Sequence, residues 1–234
     1  MHGAHLLAWP GIATAVLVLF AGDPVEPQGT LKPALPSHVL IIRHAEKPDD
    51  PADVHLTKRG DERARALQLL FVASPERPEP FPTPDILFAT RPSDKSDRPV
   101  ATLTPLSMKL KLPIDRGYRN LLPDADVDKK DSRKGVFELA DEILGDKKYA
   151  GKTVLICWHH GTIPDLAGRL KATGYPKKWK DAVFDRVWQI SYDERGAVTF
   201  ADRPQQLLPG DSPKKIKTAS GPISMPARSG REGS

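Results

Sequence analysis

The sequence predicts an α/β domain built as a three-layer sandwich, in which helices flank a mostly parallel central sheet. Three apolar runs, HVLII, DILFAT and TVLICW, lack the polar–apolar alternation of a half-exposed strand and are typical of strands covered on both faces. Segments with helical spacing of apolar residues separate these runs, and strands that alternate with helices favour this layered class. A chain of 234 residues is long enough for one such domain with a full core.

The first strand, HVLII, is followed by a predicted helix in LTKRGDERARALQLLF. Thr57 is placed to accept a backbone N–H bond as the N-cap residue. Ala64, Leu67, Leu70 and Phe71 fall on one face of this helix, so we expect that face to pack on the sheet.

Prolines delimit the middle of the chain. Five prolines between residues 74 and 84 exclude a helix or a central strand and predict a surface loop before the strand DILFAT. The next helix lies within SDRPVATLTPLSMKL, where Pro99 and Pro105 are expected to interrupt or delay it. A charged, solvated loop is predicted for residues 123–134, and an amphipathic helix from Val136 to Leu144.

The third strand, TVLICW, precedes a helix in IPDLAGRL that carries a proline in its first turn. RVWQISYD and AVTFAD, joined around Glu194–Gly196, predict a hairpin. After Pro204 the composition turns to Pro, Gly, Ser and Lys and predicts disorder. The predicted domain therefore covers residues 37–204, and residues 205–234 form a basic, disordered tail.

Residues 1–36 have the composition of a targeting segment. No charged residue lies between Leu6 and Gly22, the centre IATAVLVLFAG is strongly apolar, and a Pro-rich spacer follows. This pattern favours a signal peptide or a single membrane anchor over a buried helix, although no Lys or Arg precedes the apolar run and no A-x-A site follows it. The protein is therefore expected to be exported or membrane-anchored, and otherwise cytoplasmic.

Charge and cysteine content exclude several classes of function. The net charge is +5, but +4 of it lies in residues 203–234, so the remaining chain is almost neutral. A basic tail without interleaved aromatic residues is not a nucleic-acid-binding face, so we expect no nucleic-acid partner. The single cysteine, Cys157, excludes an intrachain disulfide and a multi-cysteine metal site.

The predicted strands end in cationic and imidazole side chains. Because ligands of open α/β sheets bind outside the carboxyl ends of the strands, we expect these side chains to face one site. They are Arg43, His44, Arg91, Lys95, Arg98, His159 and His160.

Such a cluster has the chemistry of a phosphate site. Arginine forks match phosphate oxygens, and a neutral imidazole can accept a phosphoryl group when a hydrogen bond holds its other nitrogen. The sequence has no HExxH motif and no GxxxxGK[ST] loop, so it predicts neither a metal site nor a nucleotide-binding loop. No cofactor is expected.

Four motifs, RHAE at 43–46, LTKRG at 56–60, SDRPVAT at 96–102 and WHHGTIP at 158–164, resemble in this order those of the histidine phosphatase superfamily. The sequence is most similar to the small bacterial branch of this superfamily, which has the phosphoglycerate-mutase-like fold. The resemblance implies a fold of that type.

The resemblance also implies roles for four residues. His44 would be the nucleophile, Arg43 and Arg98 would clamp the phosphate oxygens, and His160, directly before Gly161, would be the second imidazole. No role is implied for His159.

The proton donor of many relatives is the one part not matched. Asp115, Asp124 and Asp126 are the candidates, and none stands in a pattern that identifies it. The resemblance implies a metal-independent phosphatase that hydrolyses a phosphomonoester or a phosphoramidate of a small molecule or a protein through a phosphohistidine intermediate. The alternative is a catalytically inactive phosphate- or phosphopeptide-binding module of the same fold.

Overall fold

A computed structural model of the chain describes residues 34–122 and 135–213. The apolar N-terminal run, the loop 123–134 and the end of the tail lie outside the described residues, so the predictions for them stay predictions. In the part of the chain that is described, no helix is long and apolar enough to cross a membrane.

Six strands form one sheet in the order β3-β2-β4-β1-β5-β6. The first four in this order pair in parallel, and β5 and β6 add an antiparallel edge. The strands are β1 (His38–Arg43), β2 (Ile86–Ala89), β3 (Ile114–Asp115), β4 (Thr153–Trp158), β5 (Arg186–Tyr192) and β6 (Val198–Pro204). The predicted mostly parallel α/β class is confirmed.

Alternate residues of β1 enter two separate cores. Val39 and Ile41 pack with side chains of the helices Val136–Gly145 and Ile163–Arg169, whereas Leu40 and Ile42 pack with Leu67, Leu70 and side chains of the helix Arg98–Leu110. The helices are α1 (Lys58–Ala66), α2 (Arg98–Leu110), α3 (Val136–Gly145) and α4 (Ile163–Arg169), with 3₁₀ turns at Leu67–Phe71 and Lys147–Tyr149. The sheet thus has a core on each face, which is the predicted three-layer arrangement.

Two helices differ in detail from the prediction. The first predicted helix changes from α to 3₁₀ geometry after Ala66. The prolines of α2 neither delay nor interrupt it: Pro99 lies in the first turn, where a backbone N–H has no partner within the helix, and α2 continues through Pro105. Burial of Leu103 and Leu106 on either side of Pro105 holds the helix against the sheet.

The predicted start of the disordered tail is corrected by the structure. Gln205 is buried, and its backbone carbonyl accepts a hydrogen bond from the Arg77 guanidinium. The Asp211 carboxylate accepts from the backbone N–H groups of Leu207 and Leu208. Residues 205–213 therefore pack on the domain, because specific hydrogen bonds compensate for the small number of apolar residues that suggested disorder.

Candidate active site

Parallel pairing of β1 with β4 brings two histidines together. Arg43, the last residue of β1, lies opposite Trp158, the last residue of β4, and the His44 N–H donates to the Trp158 carbonyl at 3.0 Å. The next residue of each chain segment is a histidine, and the rings of His44 and His159 meet edge to face with centroids 5.4 Å apart.

A hydrogen bond of the His44 ring defines which of its nitrogens carries the proton. Nδ1 lies 2.8 Å from the carbonyl oxygen of Ala45, and a carbonyl only accepts, so Nδ1 carries the proton. Nε2 then holds the lone pair of the neutral ring. The pKa of His44 is lowered to about 3, mainly by burial; the hydrogen bond to the Ala45 carbonyl raises it, and the nearby His159, Arg43 and Arg98 side chains lower it. His44 is therefore a neutral imidazole over the physiological pH range.

Arg43 is a buried cation with one side of its guanidinium unsatisfied. Nη1 donates to the backbone carbonyls of Asp181 and Val183, and the guanidinium carbon lies 3.9 Å from the ring centroid of Phe184. Nε and Nη2 are shielded from solvent and have no partner in the described structure. Burial lowers the pKa of Arg43 to about 10, which leaves it charged at neutral pH. Two N–H donors of one guanidinium without a protein partner are the geometry that an oxyanion satisfies.

The predicted second arginine, Arg98, is the first residue of α2. Its Nη1 donates to the carbonyl of Asp53 at 2.8 Å, and its Nε is buried without a partner. The R-x-x-x-T spacing has a structural reason: the Thr102 hydroxyl donates to the Arg98 carbonyl at 2.8 Å and accepts from the Ala45 N–H at 2.9 Å. Thr102 thereby joins the helix of the arginine to the loop of the nucleophile.

The structure places the ring of His159, and not that of His160, against the ring of His44. His160, for which the sequence predicted the second imidazole, points its Nε2 to the Asp181 carboxylate at 2.9 Å, and its Nδ1 is buried without a partner. His159 is mostly buried, and burial together with Arg98 lowers its pKa to about 4. Strand register could have indicated this, since His44 and His159 each come directly after the last residue of a strand.

Glu46 joins the loop that follows β1 to helix α1. Its carboxylate accepts from the guanidinium of Arg63 on α1 at 2.7 Å, and Arg63 also donates to Asp211 at 2.8 Å. Glu46, the last residue of the RHAE motif, thus forms a largely buried ion pair that fixes the loop. Gly60 lets α1 approach the same loop: a Cβ there would lie 2.5 Å from the Glu46 carbonyl oxygen.

A cleft of about 620 Å³ opens beside His159. Arg91 and Lys95, which the strand-end rule predicted near the site, line it together with Arg98. Sequence reasoning missed Arg119 and Asn120, because the strand before them has only two residues and gives no recognisable apolar run. The lining residues are Thr90, Arg91, Pro92, Ser93, Lys95, Ser96, Arg98, Arg119, Asn120, Leu121 and His159.

The structure does not identify a proton donor among the three aspartates considered. Asp115 is exposed, and its Oδ1 accepts from the backbone N–H of Gly117 at 2.7 Å. Asp124 and Asp126 lie outside the described residues. Among the residues described, no three His, Cys, Asp or Glu side chains form a group that could hold a metal ion.

No family model matches the sequence, and a search among curated proteins gives no match. Solved structures do match the chain. A mycobacterial glucosyl-3-phosphoglycerate phosphatase with inorganic phosphate matches at 14% identity and TM-score 0.42, over 70% of this chain and 94% of its own. A phosphoserine phosphatase from Entamoeba histolytica in complex with phosphoserine matches at 14% identity and TM-score 0.45, over 73% and 98%.

The SixA protein of Agrobacterium tumefaciens matches at 15% identity and TM-score 0.37, over 67% of this chain and 92% of its own. All three matches are at low sequence identity, and the likeness is one of fold alone.

Proposed function

We propose that the chain is a phosphatase that hydrolyses a phosphomonoester or a phosphoramidate through a phosphohistidine at His44, without a metal ion. The observation that carries this proposal is the Nδ1–H bond of His44 to the Ala45 carbonyl, which leaves the Nε2 lone pair beside the unsatisfied donors of Arg43. A buried, neutral imidazole next to unpaired guanidinium N–H groups is suited to receive a phosphoryl group.

The reaction has two steps. In the first, Nε2 of His44 attacks phosphorus and the bond from phosphorus to the leaving oxygen or nitrogen breaks; a leaving oxygen takes a proton from solvent, whereas a nitrogen that is already protonated departs as the neutral amine. In the second, a water oxygen attacks phosphorus, the N–P bond breaks and returns its electron pair to Nε2, and inorganic phosphate departs.

Three side chains stabilise the transferred group. Nε and Nη2 of Arg43 and Nε of Arg98 donate to its equatorial oxygens, and each of these N–H groups is without a partner in the described structure. We assign the second imidazole to His159 in place of His160, because its ring contacts His44. As a neutral ring it donates one hydrogen bond to the phosphoryl group and accepts no proton from it. Fixed donors of this kind stabilise the charge of the transition state without reorganisation.

The natural substrate class in this proposal is a phosphorylated small molecule or phosphoprotein. Export or membrane anchoring through residues 1–36 belongs to the same proposal, and its support is the uncharged apolar run alone.

The test uses the full-length chain with phenyl phosphate and with phosphoramidate, in the presence of a metal chelator. We expect hydrolysis that His44→Ala abolishes, and a covalent phosphoryl group that mass spectrometry places on His44 after quenching in alkali. His55→Ala is the matched control, since the side chain of His55 is 71% exposed and its ring pairs with Asp97 outside the cluster. Full activity of His44→Ala would refute the proposal. If the native chain binds phosphate but hydrolyses neither compound and forms no covalent adduct, the inactive binding module is the correct alternative.

A further inference from the structure

The cleft beside His159 holds more positive charge than a single phosphoryl group requires. Arg91, Lys95, Arg98 and Arg119 line it, and among the described residues its lining includes no Asp or Glu. Arg98 is already engaged with the phosphoryl group in the proposed reaction, together with Arg43. Three further cations are therefore left without an anion.

Backbone geometry holds two of these cations side by side. Arg91 follows β2 and Arg119 follows β3, its parallel neighbour, and the Arg91 N–H donates to the Tyr118 carbonyl at 2.7 Å. Within the described residues the side chains of Arg91, Lys95 and Arg119 form no hydrogen bond or ion pair with a carboxylate, and Nε of Arg119 is shielded from solvent without a partner. Each guanidinium thus keeps its donors available to a ligand.

A relay of hydrogen bonds sets the orientation of Asn120 at the same cleft. The indole N–H of Trp158 donates to the Thr162 hydroxyl at 3.0 Å, so that hydroxyl must give its own proton to Oδ1 of Asn120. The carbonyl side of the amide is thereby used, and its N–H groups are the part left for a ligand. The cleft therefore presents donors from Arg91, Lys95, Arg119 and Asn120, and these match an oxyanion.

Building on the proposed function, we propose that the leaving group of the substrate carries a second oxyanion, a phosphate or a carboxylate, which binds Arg91, Lys95 and Arg119 while the phosphoryl group reaches His44. A neutral leaving group would leave three like charges repelling one another in one cleft, whereas a second oxyanion neutralises them and satisfies the buried Nε of Arg119. The substrate class is thus a bisphosphate or a phosphate ester with a carboxylate.

The first test compares matched substrates of the full-length chain. Phenyl phosphate is paired with 4-carboxyphenyl phosphate, and propyl phosphate with 1,3-propanediol bisphosphate, so that the two pairs distinguish a carboxylate from a phosphate. We expect kcat/KM to favour the doubly anionic member of at least one pair by about 10- to 100-fold, the range for hydrogen bonds to a charged group, mostly through KM. Arg119→Gln should bring this ratio close to 1.

Arg116→Gln is the matched control, because it removes one exposed positive charge three residues away from Arg119 and outside this cleft. It should keep the preference. Equal kcat/KM within both pairs, or an equal loss of preference in the two variants, would overturn the second subsite.

A binding measurement shows whether a negative result contradicts the second subsite or the proposed phosphatase activity. Titration calorimetry with methylenebisphosphonate and methylphosphonate needs no turnover, and the bisphosphonate should bind about tenfold more tightly or better, with the excess lost in Arg119→Gln and kept in Arg116→Gln. If no substrate is hydrolysed but this preference is observed, the phosphatase proposal fails and the anion subsite stands. If the bisphosphonate binds no better than the monophosphonate, a phosphate at the second subsite is refuted whatever the activity.

Discussion

Thr102 is the residue whose replacement tests the positioning of the nucleophile most directly. Its hydroxyl accepts from the N–H of Ala45, whose own carbonyl holds Nδ1 of His44. Thr102→Val keeps the shape of the side chain and removes this acceptor together with the hydroxyl bond to the Arg98 carbonyl. The N–H of Ala45, a residue with no solvent exposure, is then left buried without a partner.

The expected cost follows from this single unsatisfied group. Leaving a buried donor unpaired costs about 1–3 kcal/mol, so Thr102→Val should lower the free energy of unfolding by about 2 kcal/mol. For a domain of this size the same loss corresponds to a Tm lower by about 4–8 °C. Activity should fall by about tenfold or more, because small displacements of a catalytic group have large effects on rate. Urea denaturation and phenyl phosphate kinetics measure the two effects.

Thr104 supplies the matched control in the same helix. Its hydroxyl makes the same bond to the carbonyl four residues earlier, at 2.8 Å to Val100, but Thr104 is exposed and accepts no bond from the nucleophile loop. Thr104→Val should therefore change stability by less than about 0.5 kcal/mol, and Thr102→Ser should restore both stability and rate. Equal effects of the two valine variants would refute the reasoning, since the helix bond and not the Ala45 bond would then be responsible.

Three further predictions concern the same loop and its neighbours. His44 should stay in the neutral Nδ1–H form from about pH 8 to about 5, as two-bond ¹H–¹⁵N NMR can show, and a resonance that titrates near 6.5 would contradict its burial. Since unfolding restores an ordinary pKa of about 6.5, the contribution of neutral His44 to stability is complete above that pH and falls as the pH decreases toward 3. His159→Gln should lower kcat by about 100-fold or more, the effect of losing one fixed transition-state donor, whereas His160→Gln should cost less than about tenfold; the reverse order would restore the motif-based assignment. Gly60→Ala should destabilise the domain by about 1–3 kcal/mol in denaturant unfolding, because its Cβ meets the Glu46 backbone, and Gly145→Ala, which meets nothing within 4 Å, should not.

The parts of the site that lie within one local motif could be predicted from the sequence. Arg43 and His44 follow an uninterrupted apolar run, so their position at a strand end depends only on where a buried strand stops. Arg98 and Thr102 are about one helical turn apart. This spacing produces their contact directly, because a hydroxyl at position i+4 of a helix reaches the carbonyl at position i. Short-range geometry determines these residues.

The assignment of the second imidazole depended on information that one sequence does not show. His159 and His160 have the same chemistry, and only the pairing of Trp158 with Arg43 decides which of them lies level with His44. A shift of one residue exchanges the faces of the chain at a strand end, so a motif match that is correct to within one residue leaves the choice between two neighbouring side chains open.

Long-range partners were also beyond prediction. Arg63 lies 148 residues before Asp211, and neither residue is in a pattern that would pair them. Arg63 also donates to Glu46, so its guanidinium joins the loop after β1 to Asp211. This contact helps to hold the segment after Pro204 on the domain, although the composition of that segment predicts disorder. Composition indicates how much apolar surface a segment can bury, but it does not indicate whether a carboxylate of that segment will form a buried ion pair with a distant guanidinium.

The distribution of unsatisfied polar atoms is a further sign that the strand-end edge is built for a ligand. Most of the buried side-chain nitrogen and oxygen atoms without a partner in the described residues lie there, on Arg43, Thr90, Arg98, Arg119 and His160. Buried polar atoms are otherwise almost always hydrogen-bonded, and each exception costs free energy. The two apolar cores on either face of the sheet contribute the stability that tolerates this cost. An edge that concentrates unpaired donors around a neutral imidazole gains stability only when an anion binds, and so the same atoms that weaken the free fold provide the affinity for the substrate.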